Sequence, residues 1–218
     1  MTALDDLTRL CPPPADTPPT TDWPATEAAL GVHLPADYKW LCDTYGPGSF
    51  GDFIDVRHPL GSTEWLSLTG PMADTVGRRL LEARENGRPV PHDPHSLFAL
   101  GVTNTHHLLW VTEPRDEPDR WRVAVSERDG PGWFTFEEGS GLVASLTAVL
   151  SGRIRVPLFP EGLPTGPSFA PSTAPRPGGQ QDTNAIHAWA RAHGYVVHNR
   201  GRVPASVREA YEPARSKD

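Results

Sequence analysis

The chain has 218 residues, 20 Lys/Arg against 27 Asp/Glu and a formal net charge of −7, a balance that argues against a polyanion-binding surface spread over the whole molecule. Two cysteines, Cys11 and Cys42, cannot build a disulfide scaffold, and no window approaches the ~20 apolar residues of a membrane span. The start, Met1-Thr2-Ala3-Leu4-Asp5-Asp6, has neither a basic region nor an apolar core of the kind that opens a secretion signal, so a soluble, cytoplasmic protein without membrane contact is expected.

In chain order, residues 1–21 read as an N-terminal extension: a short helix over 3–10, then a proline-rich patch from Pro12 to Pro24. Cys11, just before three prolines, is expected to be exposed, whereas Cys42 falls in a helical apolar pattern and is expected in a core. Residues 22–160 are long enough for one domain of ordinary size. It opens with two short helices, 23–31 and 35–46, each ended by glycine, the second with Pro35 at its start. Short β-branched or aromatic runs then predict strands over 53–56, 64–68, 97–103, 107–112, 121–126 and 133–136, separated by Gly, Pro and Asp clusters. Helices are predicted over 72–86 and 141–150. That order implies an α+β domain with a mainly antiparallel sheet.

Candidate chemistry in this body is thin. His92-Asp93-Pro94-His95 and His106-His107, with Asp93 or Glu113, are the places where zinc could be imagined. Pro94 breaks any helix that would set His92 and His95 on one face, and adjacent His106 and His107 point to opposite sides of a strand, one inward and one to water. No metal and no cofactor are therefore expected. Gly46, Gly48 and Gly51 follow a helix instead of joining a strand to one, so they serve a turn and not a phosphate loop. Ser49 in that turn is expected to bond the local backbone, and no strand-turn-helix serine elbow occurs. Trp23, Trp40, Trp65, Trp110, Trp121 and Trp133 read as core or hairpin-face residues, since base-stacking platforms need a basic surround. An enzyme is not expected.

Residues 161–181 are rich in Pro and Gly and read as a flexible linker, spanning on the order of 25 Å. From Glu161 onward seven Lys/Arg face five acids, a net of +2, which leaves −9 for the rest. An acidic body with a mildly basic tail implies two modules with different partners, a protein for the first. In the tail, residues 182–218, Thr183 or Asn184 caps a helix with Ile186, Trp189 and Ala190 at helical spacing and Gly194 at its end. Pro204 starts a second helix, in which Val203, Val207, Ala210 and Tyr211 recur at helical intervals until Pro213. Between them stands Arg200-Gly201-Arg202. Two guanidinium groups around a residue without a Cβ make a narrow positive element, and the narrow groove of A·T-rich DNA attracts inserted arginines.

The segment Ile186-His187-Ala188-Trp189-Ala190-Arg191-Ala192-His193-Gly194-Tyr195 through Arg200-Gly201-Arg202-Val203-Pro204-Ala205 to Tyr211 resembles the C-terminal DNA-binding domain of the Lsr-type, H-NS-like nucleoid-associated proteins of actinobacteria. The resemblance implies two helices joined by a loop that enters the minor groove of A·T-rich double-stranded DNA, with Arg200, Gly201 and Arg202 as contacts. Pro204 and Ser206, at the start of the following helix, are placed where backbone N–H groups meet a phosphate, and Arg191 and Arg208 are candidates for phosphate contacts or for solvated helix faces. The string Leu30-Gly31-Val32-His33-Leu34-Pro35-Ala36-Asp37-Tyr38-Lys39, then Tyr45-Gly46-Pro47-Gly48-Ser49-Phe50, resembles the SUKH superfamily, which groups the yeast cell-wall-synthesis regulator with bacterial toxin-immunity proteins. It implies a SUKH-like binding domain. Two roles follow: a nucleoid-associated or transcription-regulating protein whose tail tethers a protein-binding body to DNA, or an immunity or scaffold protein whose body binds a protein such as a toxin. The nucleoid proteins pair their DNA hand with an oligomerisation domain; the SUKH-like body takes that place here, so DNA bridging would require a homo-oligomer.

Overall fold

The sequence Leu142-Val143-Ala144-Ser145-Leu146-Thr147-Ala148-Val149-Leu150 has almost no polar side, and a helix that is apolar all round must be covered all round. The computed structural model, which describes residues 2–137 and 139–172, shows how. Helix α5 (Leu142–Leu150) has nearly every residue buried, sandwiched between a sheet and two other helices, α1 (Ala3–Leu10) and α3 (Ala36–Tyr45). Helix α2 (Trp23–Leu30) precedes α3, held by Asp22, whose carboxylate accepts from the Ala25 N–H at 3.0 Å. The chain divides into two compact units, Met1–Ser172 and Thr173–Asp218, of which the described residues belong to the first.

The sheet has seven strands: β1 (Gly48–Phe50), β2 (Ile54–Val56), β3 (Leu97–Val102), β4 (His106–Val111), β5 (Arg122–Glu127), β6 (Trp133–Thr135) and β7 (Phe169–Pro171). Their spatial order is β6-β5-β4-β3-β2-β1-β7, and every neighbouring pair is antiparallel. An α+β fold with an antiparallel sheet is thus what the chain forms. On the first face Leu108 and Trp110 of β4 and Val123 and Val125 of β5 join the core around α5. On the second face Leu109 and Val111 pack with Val76 and Leu80 of helix α4 (Met72–Glu85). Because both faces are covered, β4 is buried at all six positions.

Several expectations change. Residues 1–21 are not a separate extension: Leu4, Leu7 and Leu10 line one side of α1, Leu7 and Cys11 are fully buried, and the Tyr45 hydroxyl donates to the Cys11 carbonyl at 2.6 Å. Cys11 is therefore a core residue, its thiol pushed up to about 11 by burial. The first part of the stretch read as a linker also belongs to the body. Phe169–Pro171 pairs with β1, Gly51 N–H donates to the Ser168 carbonyl at 2.9 Å, and Ser172 N–H donates to the Pro47 carbonyl at 2.8 Å. The Phe169 ring occupies the place where a Cβ on Gly48 would stand, so that glycine serves a strand contact, not a turn. Ser49 likewise lies in β1 opposite Asp55 and bonds its carboxyl. The strand expected over 64–68 is absent: residues 59–70 fold back on themselves, with Leu68 N–H donating to the His58 carbonyl at 3.1 Å and only a single bridge between His58 and Ser67.

Long-range caps tie the layers together. Asp37 of α3 accepts from the Val143 N–H at 3.0 Å and so caps α5, and Asp119 accepts from the Ala36 N–H at 2.7 Å and caps α3. Burial raises the Asp37 pKa despite these bonds. A Cβ on Gly141 would lie 2.6 Å from the Asp37 carboxylate, which is why the residue before α5 has none.

Candidate functional site

The polar groups that could carry chemistry in the body are dispersed. His92 Nε2 meets the Thr135 hydroxyl at 2.8 Å, while Asp93 caps a short 3₁₀ turn, Pro94–Ser96, and accepts from Arg84 at 3.3 Å. Pro94 thus begins a helical turn instead of preventing one. His106 Nδ1 lies 3.0 Å from the Thr103 hydroxyl and 3.1 Å from that of Thr105. No group of three or more His, Cys, Asp or Glu able to hold a metal occurs among the described residues. Trp110 and Trp121 are core residues, and Trp65 stands at the surface on the 59–70 segment. No helix of the described residues is long and apolar enough to cross a membrane.

His106 and His107 do point to opposite faces, but neither meets water: both are 3% exposed. His106 lies against Phe159 on the first face, and His107 is closed in on the second. The covering by α4 and its neighbours is what the reading of an inward and an outward histidine missed. His107 pairs across the sheet with Ser126, and Val102 of β3 bridges it to Asp55 of β2. Continuing the alternation by two residues puts Arg57 on the same face beyond β2 and Arg128 on the same face beyond β5.

This row has few internal partners. Arg57 is wholly buried; its Nη1 donates to the Ser67 carbonyl at 3.2 Å, and its Nε and Nη2 have no hydrogen-bond partner. Arg128 Nη2 donates to the Thr103 carbonyl at 3.1 Å, while its Nε, Ser126 Oγ and His107 Nδ1 are buried without partners. Burial pushes Arg57 down to about 10, so it stays cationic at neutral pH. Burial, then the guanidinium groups of Arg128, Arg57 and Arg79, pushes His107 down to about 4. No sequence motif marks this row; its signal is the register of four strands, β2 to β5.

The seven residues expected to contact DNA, Arg191, Arg200, Gly201, Arg202, Pro204, Ser206 and Arg208, lie outside the described residues. Their segment is identified by comparison with protein families. Residues 178–214 match the Lsr2 DNA-binding domain. All seven positions fall inside that span, which begins four residues before the boundary expected at 182. No curated protein and no solved structure matches the chain. The Lsr2 match covers the C-terminal part alone and supports DNA binding and nucleoid association for it. It leaves an acidic body beside it: residues 1–172 hold 13 Lys/Arg against 23 Asp/Glu, and residues 173–218 hold seven against four.

Proposed function

We propose that the protein binds A·T-rich double-stranded DNA through its C-terminal unit and holds the α+β body there as a protein-binding module, in nucleoid-associated or transcriptional regulation. The match of residues 178–214 to the Lsr2 DNA-binding domain carries the reading. In it Arg200 and Arg202 insert into the minor groove, Gly201 lets the backbone approach the groove floor, and Pro204 and Ser206 present N–H groups to a phosphate, with Arg191 and Arg208 adding phosphate contacts. The body acts as a SUKH-like binding domain and not as a catalyst. Its excess of ten acidic groups over basic ones disfavours direct contact with the DNA backbone and suits a basic protein face.

Fluorescence anisotropy of the whole chain with A·T-rich and G·C-rich duplexes tests this. A preference for A·T-rich DNA is expected, with a shallow dependence of log K on log salt, of slope roughly −2 to −3, because few phosphates are neutralised. Equal weak binding to both duplexes contradicts groove reading. The acid excess of the body also supports a second reading, an immunity or scaffold protein whose main act is binding a protein such as a toxin. A stoichiometric complex that forms as well without the tail as with it, together with no chromosomal occupancy pattern, would favour that reading over the first.

A further inference from the structure

An unpaired guanidinium inside a protein costs several kcal/mol, and folds that keep one supply it with an anion. Arg57 is fully buried with two of its nitrogens unpartnered, and its one side-chain bond goes to a neutral carbonyl. The same face of the sheet carries Ser126 at 1% exposure and His107 at 3%, each with an unpartnered polar atom, and the unpartnered Nε of Arg128. The strand register ties these groups together: His107 stands opposite Ser126, Arg128 is two residues further along, and His107 is linked through Val102 to the strand that Arg57 continues. Every one of these atoms can donate a hydrogen bond, three of them sit on two fixed cations, and Arg79 adds a third positive charge acting on His107; the acids on this side are Asp129 and Asp55, the latter bonded to Ser49.

We propose that this face of the sheet holds a phosphate-class oxyanion, bound by Arg57, His107, Ser126 and Arg128. Water could satisfy the donors but brings no negative charge to the two guanidinium groups, whereas an oxyanion does both. Four donor side chains on separate strand positions suit an ion with four oxygens better than a planar carboxylate with two. Their burial requires an occupant without a covalent tail: a phosphate carried on DNA or on a peptide would have to displace the 59–70 segment, whose Ser67 carbonyl covers Arg57. His107 enters such a site as a neutral imidazole with Nδ1 protonated, donating to the ion.

The test titrates inorganic phosphate into the whole chain at pH 7 and constant ionic strength, following the His107 ring nitrogens by NMR, with sulfate, acetate, a phosphoserine peptide and an A·T-rich duplex as parallel probes. Saturable movement of the His107 resonances with phosphate and sulfate is expected, with acetate much weaker. Arg57→Met and Ser126→Ala are each expected to weaken phosphate by about tenfold or more. Arg57→Met replaces an unpaired buried cation by an apolar chain of similar length, a change that such sites tolerate; if it fails to fold, Ser126→Ala decides. Absence of saturation, or unchanged affinity in the variants, overturns the proposal. Acetate binding as well as phosphate overturns the ligand class, and tighter binding of the phosphopeptide or the duplex at His107 overturns the free ion.

Discussion

The two units of this chain are informative in opposite ways. Residues 1–172 have a full set of strand registers, caps and core contacts, yet no curated protein or solved structure matches the chain. Residues 178–214 match the Lsr2 DNA-binding domain and hold the residues expected to touch DNA, in a segment of opposite net charge. A fold is written in patterns distributed over the whole body, whereas the DNA-binding signal lies in one short segment, residues 178–214. Charge also does different work in the two: in the body Asp37 and Asp119 cap helices, while in the proposed reading the arginines of the tail meet a ligand.

The sharpest way to break that division is to damage one unit and read the other. Trp110→Ala removes a fully buried side chain that packs against Tyr38, Phe98 and Trp121, and should cost about 3–5 kcal/mol in urea unfolding of the body. DNA affinity of the same variant should stay within about twofold of wild type, and a larger loss would mean that the units are coupled. Leu7→Ala should cost about 2–5 kcal/mol, because α1 is part of the core against α5; an unchanged urea midpoint would restore residues 1–21 to the status of an extension.

Acid should also separate the units. His107 is held at about 4 in the folded body against an ordinary value near 6.5, so the unfolded chain binds more protons between these limits. Its contribution is complete above pH 6.5 and is lost as pH falls towards 4, up to ~3 kcal/mol, with the lowered His58, His92 and His106 acting in the same direction. Urea midpoints at pH 7, 5.5 and 4.5 should fall in that order, and His107→Gln should flatten the trend. The smallest effect expected is Tyr45→Phe, which leaves the buried Cys11 carbonyl without its 2.6 Å donor and should cost about 1–2 kcal/mol.

Much of the body was legible in the sequence. The helices α2 to α5 and the strands β2 to β6 lie close to the positions read from glycine stops, proline starts and β-branched runs. Phe169–Pro171 was hidden because proline-rich composition reads as linker; an edge strand can include a proline, and this one pairs with a strand that needs Gly48 to admit Phe169. The core role of Cys11 was hidden because burial there comes from Tyr45, thirty-four residues away. Residues 64–68 have strand-like composition but face no long partner strand, and the local return to His58 wins. The buried polar row had no sequence signature, since Arg57, His107, Ser126 and Arg128 come to one face only once β2 to β5 are in register. In the tail the reverse holds: the run from Ile186 through Arg200-Gly201-Arg202 to Tyr211 resembles the Lsr-type DNA-binding domain, and residues 178–214 match the Lsr2 DNA-binding domain.

The central claim, that DNA recognition resides in the C-terminal unit and is read by its paired arginines, is tested most directly by one titration series. Whole chain, chain ending at Ser172, and the double variant Arg200→Ala/Arg202→Ala are each titrated against A·T-rich and G·C-rich duplexes at the same salt. The account predicts an A·T preference for the whole chain, no binding by the chain ending at Ser172, and loss of the preference in the double variant. DNA binding by the shortened chain, or an undiminished A·T preference without the two arginines, would contradict it.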